Sequence, residues 1–217
     1  MQFAMDSIAV LFEEEHGISC DVTYASSGTL TAQIENGAPY DLFISANASY
    51  PARLFSLEAG EKPFKYARGR LLFVYLNKEH FSSIEEVMQD ESVQQIAIAD
   101  DGTAPYGIAA MSYLENAELY EEVQPKLVMG ESIGQVNQYI KTGVVDAAFT
   151  SYGFRITFGE LYHYFEVDQR YFEPIEQKAM GLFGDDQKVS LSAQKMIAFL
   201  KSAKSKAVLD YFGYLTD

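Results

Sequence analysis

Cysteine is nearly absent. Cys20 is the single one in 217 residues, so no intrachain disulfide can form and the redox compartment cannot be read from cysteine usage. Its expected place is that of a small apolar residue in a core, not a reactive thiol. Long apolar runs are absent too. No stretch nears the ~20 residues that span a bilayer. The opening MQFAMDSIAVLFEEEHG has no basic n-region, and acids break it early, so no signal peptide and no direct membrane insertion are expected of this chain. Basic residues are few, 16 Lys and Arg against 31 Asp and Glu, for a net charge of −15. A uniformly acidic surface repels phosphate backbones, which argues against nucleic acid as a partner. Signature motifs of common hydrolases, metalloenzymes and nucleotide binders are missing: there is no GxSxG, P-loop, HExxH or CxxC. His16, His80 and His163 are scattered without metal-ligand spacing, and no nucleophile–base pair stands out. The composition therefore points away from an enzyme and from a bound cofactor or cationic metal.

What is present is core material: 48% of residues are hydrophobic and 14% aromatic, which excludes wholesale disorder. The pattern alternates helix and strand. Helical spacing runs over 6–15, 29–35 and 53–58, with strands expected at 18–24, 41–46 and 70–76. Ser83 with Glu86, and Ser132 with Gln135, read as capping boxes opening helices, and Pro105 suits the first position of a third. Further strands are expected at 95–99, 125–129, 146–150 and 179–183, and two helices close the chain at 191–202 and 204–212. The aromatic stretch 151–176 resists assignment; its Tyr and Phe residues read as the packed wall of a unit. This alternation argues for α/β units with mainly parallel sheets. No linker separates them, so two units would be joined by strands passing directly from one to the other.

Three strand-to-helix turns carry small or hydroxyl residues: Ser26-Ser27-Gly28-Thr29, Thr103-Ala104-Pro105-Tyr106-Gly107 and Glu131-Ser132-Ile133-Gly134. The first N–H groups of a helix lack intrahelical acceptors and lie at the positive end of its dipole. Such ends bind oxyanions without a cationic side chain, and in open α/β sheets they gather beyond the carboxyl ends of the strands. A site of backbone dipoles and hydroxyls reconciles local anion affinity with global acidity. Each turn alone is an ordinary helix cap; the three together carry the reading. Asp100 and Asp101, adjacent in a loop, read as turn formers and not as an acid pair.

These residues resemble the molybdate-binding proteins of ABC importers. The likeness runs through Tyr24-Ala25-Ser26-Ser27-Gly28-Thr29-Leu30 and Gly37-Ala38-Pro39-Tyr40-Asp41-Leu42-Phe43-Ile44-Ser45-Ala46. It continues through Pro105-Tyr106-Gly107-Ile108-Ala109-Ala110, Glu131 to Val136 and Gly143 to Phe149. The resemblance implies a two-lobed periplasmic-binding-protein type II fold: α/β, with mixed, mainly parallel sheets joined by two crossover strands. The expected lobes are 1–67 with 178–217, and 68–177, hinged near 66–69 and 176–178. It further implies a tetrahedral oxyanion, molybdate or tungstate, held by the Ser27 hydroxyl and N–H and by the backbone N–H groups of Tyr106 and Ile133. A position where family members place a tyrosine hydroxyl falls on Ser151, with Tyr152 beside it. The partner implied is an ABC permease. The location is periplasmic or membrane-anchored outside the cell, and the state monomeric.

One departure stands out. Family members begin with an interior strand and a ligand-binding serine that would lie before Met1, so the chain is expected to be an N-terminally shortened form. Two other readings compete. A cytoplasmic oxyanion-sensing or regulatory module of the same fold suits the missing signal peptide but lacks a DNA-binding segment. An enzyme on the same scaffold lacks its nucleophile–base pair.

Overall fold

The computed structural model describes residues 1–76 and 80–216. In chain order, the first segment forms α1 (Gln2–His16), α2 (Ser27–Glu35), β1 (Leu42–Ser45), α3 (Ser49–Ser56) and β2 (Phe64–Gly69). There follow β3 (Leu71–Tyr75), α4 (Ile84–Gln89), β4 (Ile96–Ala99), α5 (Pro105–Asn116), α6 (Tyr120–Val123) and β5 (Leu127–Gly130). Next come α7 (Ile133–Thr142), β6 (Ala147–Ser151), α8 (Tyr152–Phe158) and β7 (His163–Glu166). The last segment adds β8 (Ile175–Gly181), α9 (Leu191–Leu200) and α10 (Ala203–Tyr211). The chain divides into two compact units, Met1–Gly69 with Glu176–Asp217, and Arg70–Ile175. The sequence placed these divisions at 67/68 and 177/178.

The first unit holds a three-stranded sheet in the order β1-β8-β2, with β1 antiparallel to β8 from Leu42 opposite Gly181 to Ser45 opposite Lys178. Alternation along the strands sends residues to two cores, as the two-residue period of a strand requires. Ala179 joins Ile8 and Phe12 of α1, Phe199 and Leu200 of α9 and Leu209 of α10. Phe43 and Met180 turn the other way, against Leu54 of α3 and Leu182. Cys20 is half-buried at the edge of the α1 core, and burial raises its thiol pKa, which suits the packing role expected of it.

The strand expected at 18–24 is not formed. Those residues make no ladder among the described residues, and Asp21 to Ala25 are exposed. The alternating pattern records which side chains could face a core, but a strand also needs a neighbour to satisfy its N–H and C=O groups. β1 pairs with β8 on one side and lies at the edge of the sheet.

The second unit holds five strands in the order β5-β4-β6-β3-β7. β4 runs parallel to both β5 and β6, whereas β3 is antiparallel to β6 and β7, so the sheet is mixed. The runs LLFVY of β3, IAIA of β4 and AAFTS of β6 are buried throughout, which marks strands covered on both faces. Val74, Ala97, Ala99 and Ala148 pack with Val136 and Ile140 of α7 and Phe154 of α8. The unassigned stretch 151–176 proves to be α8, the edge strand β7 and two single 3-10 turns. Pieces this short carry no periodicity that the sequence could show. Phe158, Tyr162 and Tyr164 pack on the same core, the wall role expected of them.

Candidate functional site

In the first unit, α2 begins within the tetrad read from the sequence, at its second residue. Ser26 is the cap: its Oγ accepts the Thr29 N–H at 3.2 Å and lies 2.6 Å from the Thr29 hydroxyl. Ser27 is the first helical residue and is buried. The Ala46 N–H, just past the end of β1, donates to Ser27 Oγ at 3.2 Å. A hydroxyl that accepts from a backbone amide keeps its own proton for donation. This bond ties the start of α2 to the end of β1 and fixes where the Ser27 oxygen sits.

In the second unit, β5, β4 and β6 are parallel, so their carboxyl ends share one edge of the sheet, and each is followed there by a helix start. Ala99 and Gly130 lie opposite one another at that edge, and the Asp100 N–H donates to the Gly130 carbonyl at 2.7 Å. The Asp100 carbonyl accepts the Ala104 N–H at 2.8 Å, and its carboxylate accepts the Thr103 hydroxyl at 2.7 Å. Asp100 is thus consumed in folding the loop that delivers Pro105 to the first turn of α5, the turn-forming role read for it. Tyr106 follows Pro105 in that first turn, where N–H groups point out along the dipole.

Gly107 explains how closely α5 approaches the strand. A Cβ at this position would lie 2.2 Å from the Ala99 carbonyl oxygen and 2.7 Å from the Asp100 oxygen, both backbone atoms. Only glycine lets the helix start rest on the end of β4.

Ile133 is the first residue of α7. Ser132 Oγ accepts the Gln135 N–H at 3.4 Å, and the Gln135 side chain accepts the Glu131 N–H at 2.6 Å. This is the expected capping box with its return bond moved one residue earlier. The α4 box shows the same shift: Ser83 accepts from the Glu86 N–H, and Glu86 accepts from the Ser82 N–H. Behind α7, the Thr150 hydroxyl donates to Asn137 Oδ1 at 2.5 Å, a buried polar strut between helix and β6. Nothing in the sequence marked that pair.

Ser151 ends β6 and is buried; its side chain makes no capping bond to α8. The Tyr152 N–H donates to the Arg70 carbonyl at 3.1 Å, which leaves the phenol as the donor Tyr152 can offer. The Arg70 guanidinium lies 3.9 Å from the centre of the Tyr152 ring, and Arg155 lies 5.7 Å from it. Glu166 grips Arg70 on two nitrogens, Nε to Oε1 at 2.7 Å and Nη2 to Oε2 at 2.5 Å, and this hydrogen bonding raises the guanidinium pKa. Arg70 was read only as the start of a strand, because its partner Glu166 is 96 positions away in the chain.

The described residues hold no group of three or more His, Cys, Asp or Glu that could bind a metal ion, and no described helix is long and apolar enough to cross a membrane. The structure thus gathers Tyr106, Ile133 and Ser151–Tyr152 at one sheet edge of the second unit, and places Ser27 at the end of β1 in the first.

Comparison with known proteins gives the family and the fold. The model of the bacterial extracellular solute-binding protein family matches residues 1–215. The chain belongs to that family. It is 30% identical over 214 residues to the molybdate-binding protein ModA of Rhodobacter capsulatus, covering 97% of this chain and 82% of that protein. It is 31% identical over 215 residues to ModA of Azotobacter vinelandii, covering 97% and 84%. The solved periplasmic molybdate-binding protein of Azotobacter vinelandii superposes with a TM-score of 0.91 over 100% of this chain and 95% of that one, at 24% identity. The α/β fold of the periplasmic binding proteins expected from the sequence is the one observed. Family membership makes the chain a solute-binding component of transport.

Proposed function

We propose that this protein binds a tetrahedral oxyanion, molybdate or its isostere tungstate, and delivers it to the permease of an ABC importer on the outer side of the cytoplasmic membrane. The observation that carries the reading is the seating of α5 and α7 at the shared carboxyl edge of β4 and β5. There the first-turn N–H groups of Tyr106 and Ile133 are offered by two separate helices. Ser151 and Tyr152 add hydroxyls at the same edge of the second unit; in the first unit the Ser27 hydroxyl, which accepts from the Ala46 N–H, is a separate candidate donor. Fixed neutral donors suit an anion whose oxygens must all be hydrogen-bonded once water is excluded. The two relatives named as molybdate-binding proteins support the same ligand.

Isothermal titration of this chain with molybdate, tungstate, sulfate and phosphate tests the proposal. One-to-one binding of molybdate and tungstate, tighter than that of phosphate, is expected. No heat from any of the four would overturn it.

A further inference from the structure

We propose that Arg70 is a charge-selecting residue of this site, an inference that rests on the oxyanion reading above. Leu71 lies opposite Ser151 in the β3–β6 ladder, and the Arg70 carbonyl accepts the Tyr152 N–H, so Arg70 stands beside the hydroxyl end of the candidate donor set. Its guanidinium is fixed from two sides, by the Tyr152 ring at 3.9 Å and by the two-point grip of Glu166. A planar fork held in this way needs no reordering when an anion arrives, and its five N–H donors exceed the two that Glu166 engages and the hydrogen bond it makes to the Tyr152 side chain. The Arg70 side chain is 26% exposed against 52% for Glu166, so water screens the cation less than the carboxylate. Arg70 and Glu166 also line a cavity of about 350 Å³ with Asp168 and Phe172. Its two carboxylates are each paired with a guanidinium, Glu166 with Arg70 and Asp168 with Arg170. The Arg70 field would act on an anion held at the adjoining Ser151 and Tyr152.

A chain with a net charge of −15 repels anions at long range. A fixed guanidinium beside the site, less exposed than its carboxylate partner, offsets part of that repulsion locally. Its contribution scales with the charge of the ligand, whereas a purely structural brace affects every tetrahedral anion alike. Glu166 holds the guanidinium in place and at the same time cancels part of its field.

Titration of the full chain with molybdate and with perrhenate, a tetrahedral anion of single charge, separates the two roles. Arg70→Gln is expected to weaken molybdate about tenfold and perrhenate only about threefold, because halving the charge halves the Coulomb free energy and leaves the square root of the fold-change. Glu166→Gln, which leaves the stack on Tyr152 intact, is expected to tighten molybdate about twofold to threefold. Equal losses for both anions in Arg70→Gln, or weaker molybdate binding in Glu166→Gln, would reduce the pair to a structural brace and overturn the proposal alone. If Arg70→Gln fails to fold, the sign of the Glu166→Gln effect decides. Absence of binding by the unsubstituted chain overturns the oxyanion reading and this proposal together.

Discussion

The junction of β1 with α2 and the parallel edge of β5-β4-β6 offer donors by different means. In the first unit the donor is a side chain, the Ser27 hydroxyl, positioned by one bond from Ala46 at the end of an edge strand. In the second unit the candidate donors of α5 and α7 are main-chain N–H groups, placed by the seating of whole helices, α5 after the fully buried β4 and α7 after the half-buried edge strand β5. A hydroxyl can be deleted by a single substitution. A backbone amide can be removed only by proline or misplaced by moving its helix. The two regions should therefore fail in different ways.

The largest effect is expected from Gly107→Ala. A Cβ 2.2 Å from a backbone carbonyl must push α5 off β4, costing about 3 kcal/mol of stability and about a hundredfold in molybdate affinity. Thermal melting and calorimetric titration read the two losses. An unchanged affinity would show that the α5 start is not part of the site.

Next comes Ile133→Pro. Proline is tolerated at the first helical position; it removes the N–H and trims a half-buried side chain from the edge of the core, and the extended Ser132, with φ −157° and ψ 165°, suits a following proline. Stability should stay within about 1 kcal/mol while affinity falls about thirtyfold, the loss of one bond to a charged ligand. A variant that melts early without losing affinity would break the contrast between donor and scaffold.

Ser27→Ala should weaken molybdate about tenfold and cost about 1 kcal/mol of stability, because the Ala46 N–H loses its acceptor. If it outweighs Gly107→Ala, the first unit and not the parallel edge dominates binding. The smallest effect on binding is expected from Thr150→Val, which strands the buried Asn137 side chain. Stability should drop about 1 to 2 kcal/mol with affinity within about twofold of the parent, measured by the same two experiments.

Much of this was legible beforehand because helix starts are written in short-range chemistry. Ser83, Ser132 and Pro105 sit where the caps and first turn were expected, since a cap involves residues three apart. The buried runs at β3, β4 and β6 were legible for a similar reason: continuous apolar stretches flag strands covered on both faces. The errors came from non-local requirements. Residues 18–24 have the pattern of a strand and lack a pairing neighbour among the described residues. Arg70 depends on Glu166, and Thr150 on Asn137, through contacts that no window of sequence contains. Gly107 was visible as a glycine in a turn, but its closeness to Ala99 is a property of the packed helix. The donors of Tyr106 and Ile133 are invisible to residue identity altogether, because every non-proline residue has an N–H.

The path of the chain has a consequence for how such a protein can be built. The second unit is one uninterrupted segment, leaving β2 at Gly69 and returning into β8, and β2 and β8 are neighbours in the sheet of the first unit. In the language of gene architecture it is an insertion with adjacent ends, spliced into a host whose own segments pair across the seam. A segment of this kind is transplantable. Exchanging 70–175 for the matching stretch of a relative alters two joints and leaves the host ladder unbroken, so the candidate backbone donors of the second unit can be varied as one cassette while the first unit is held constant.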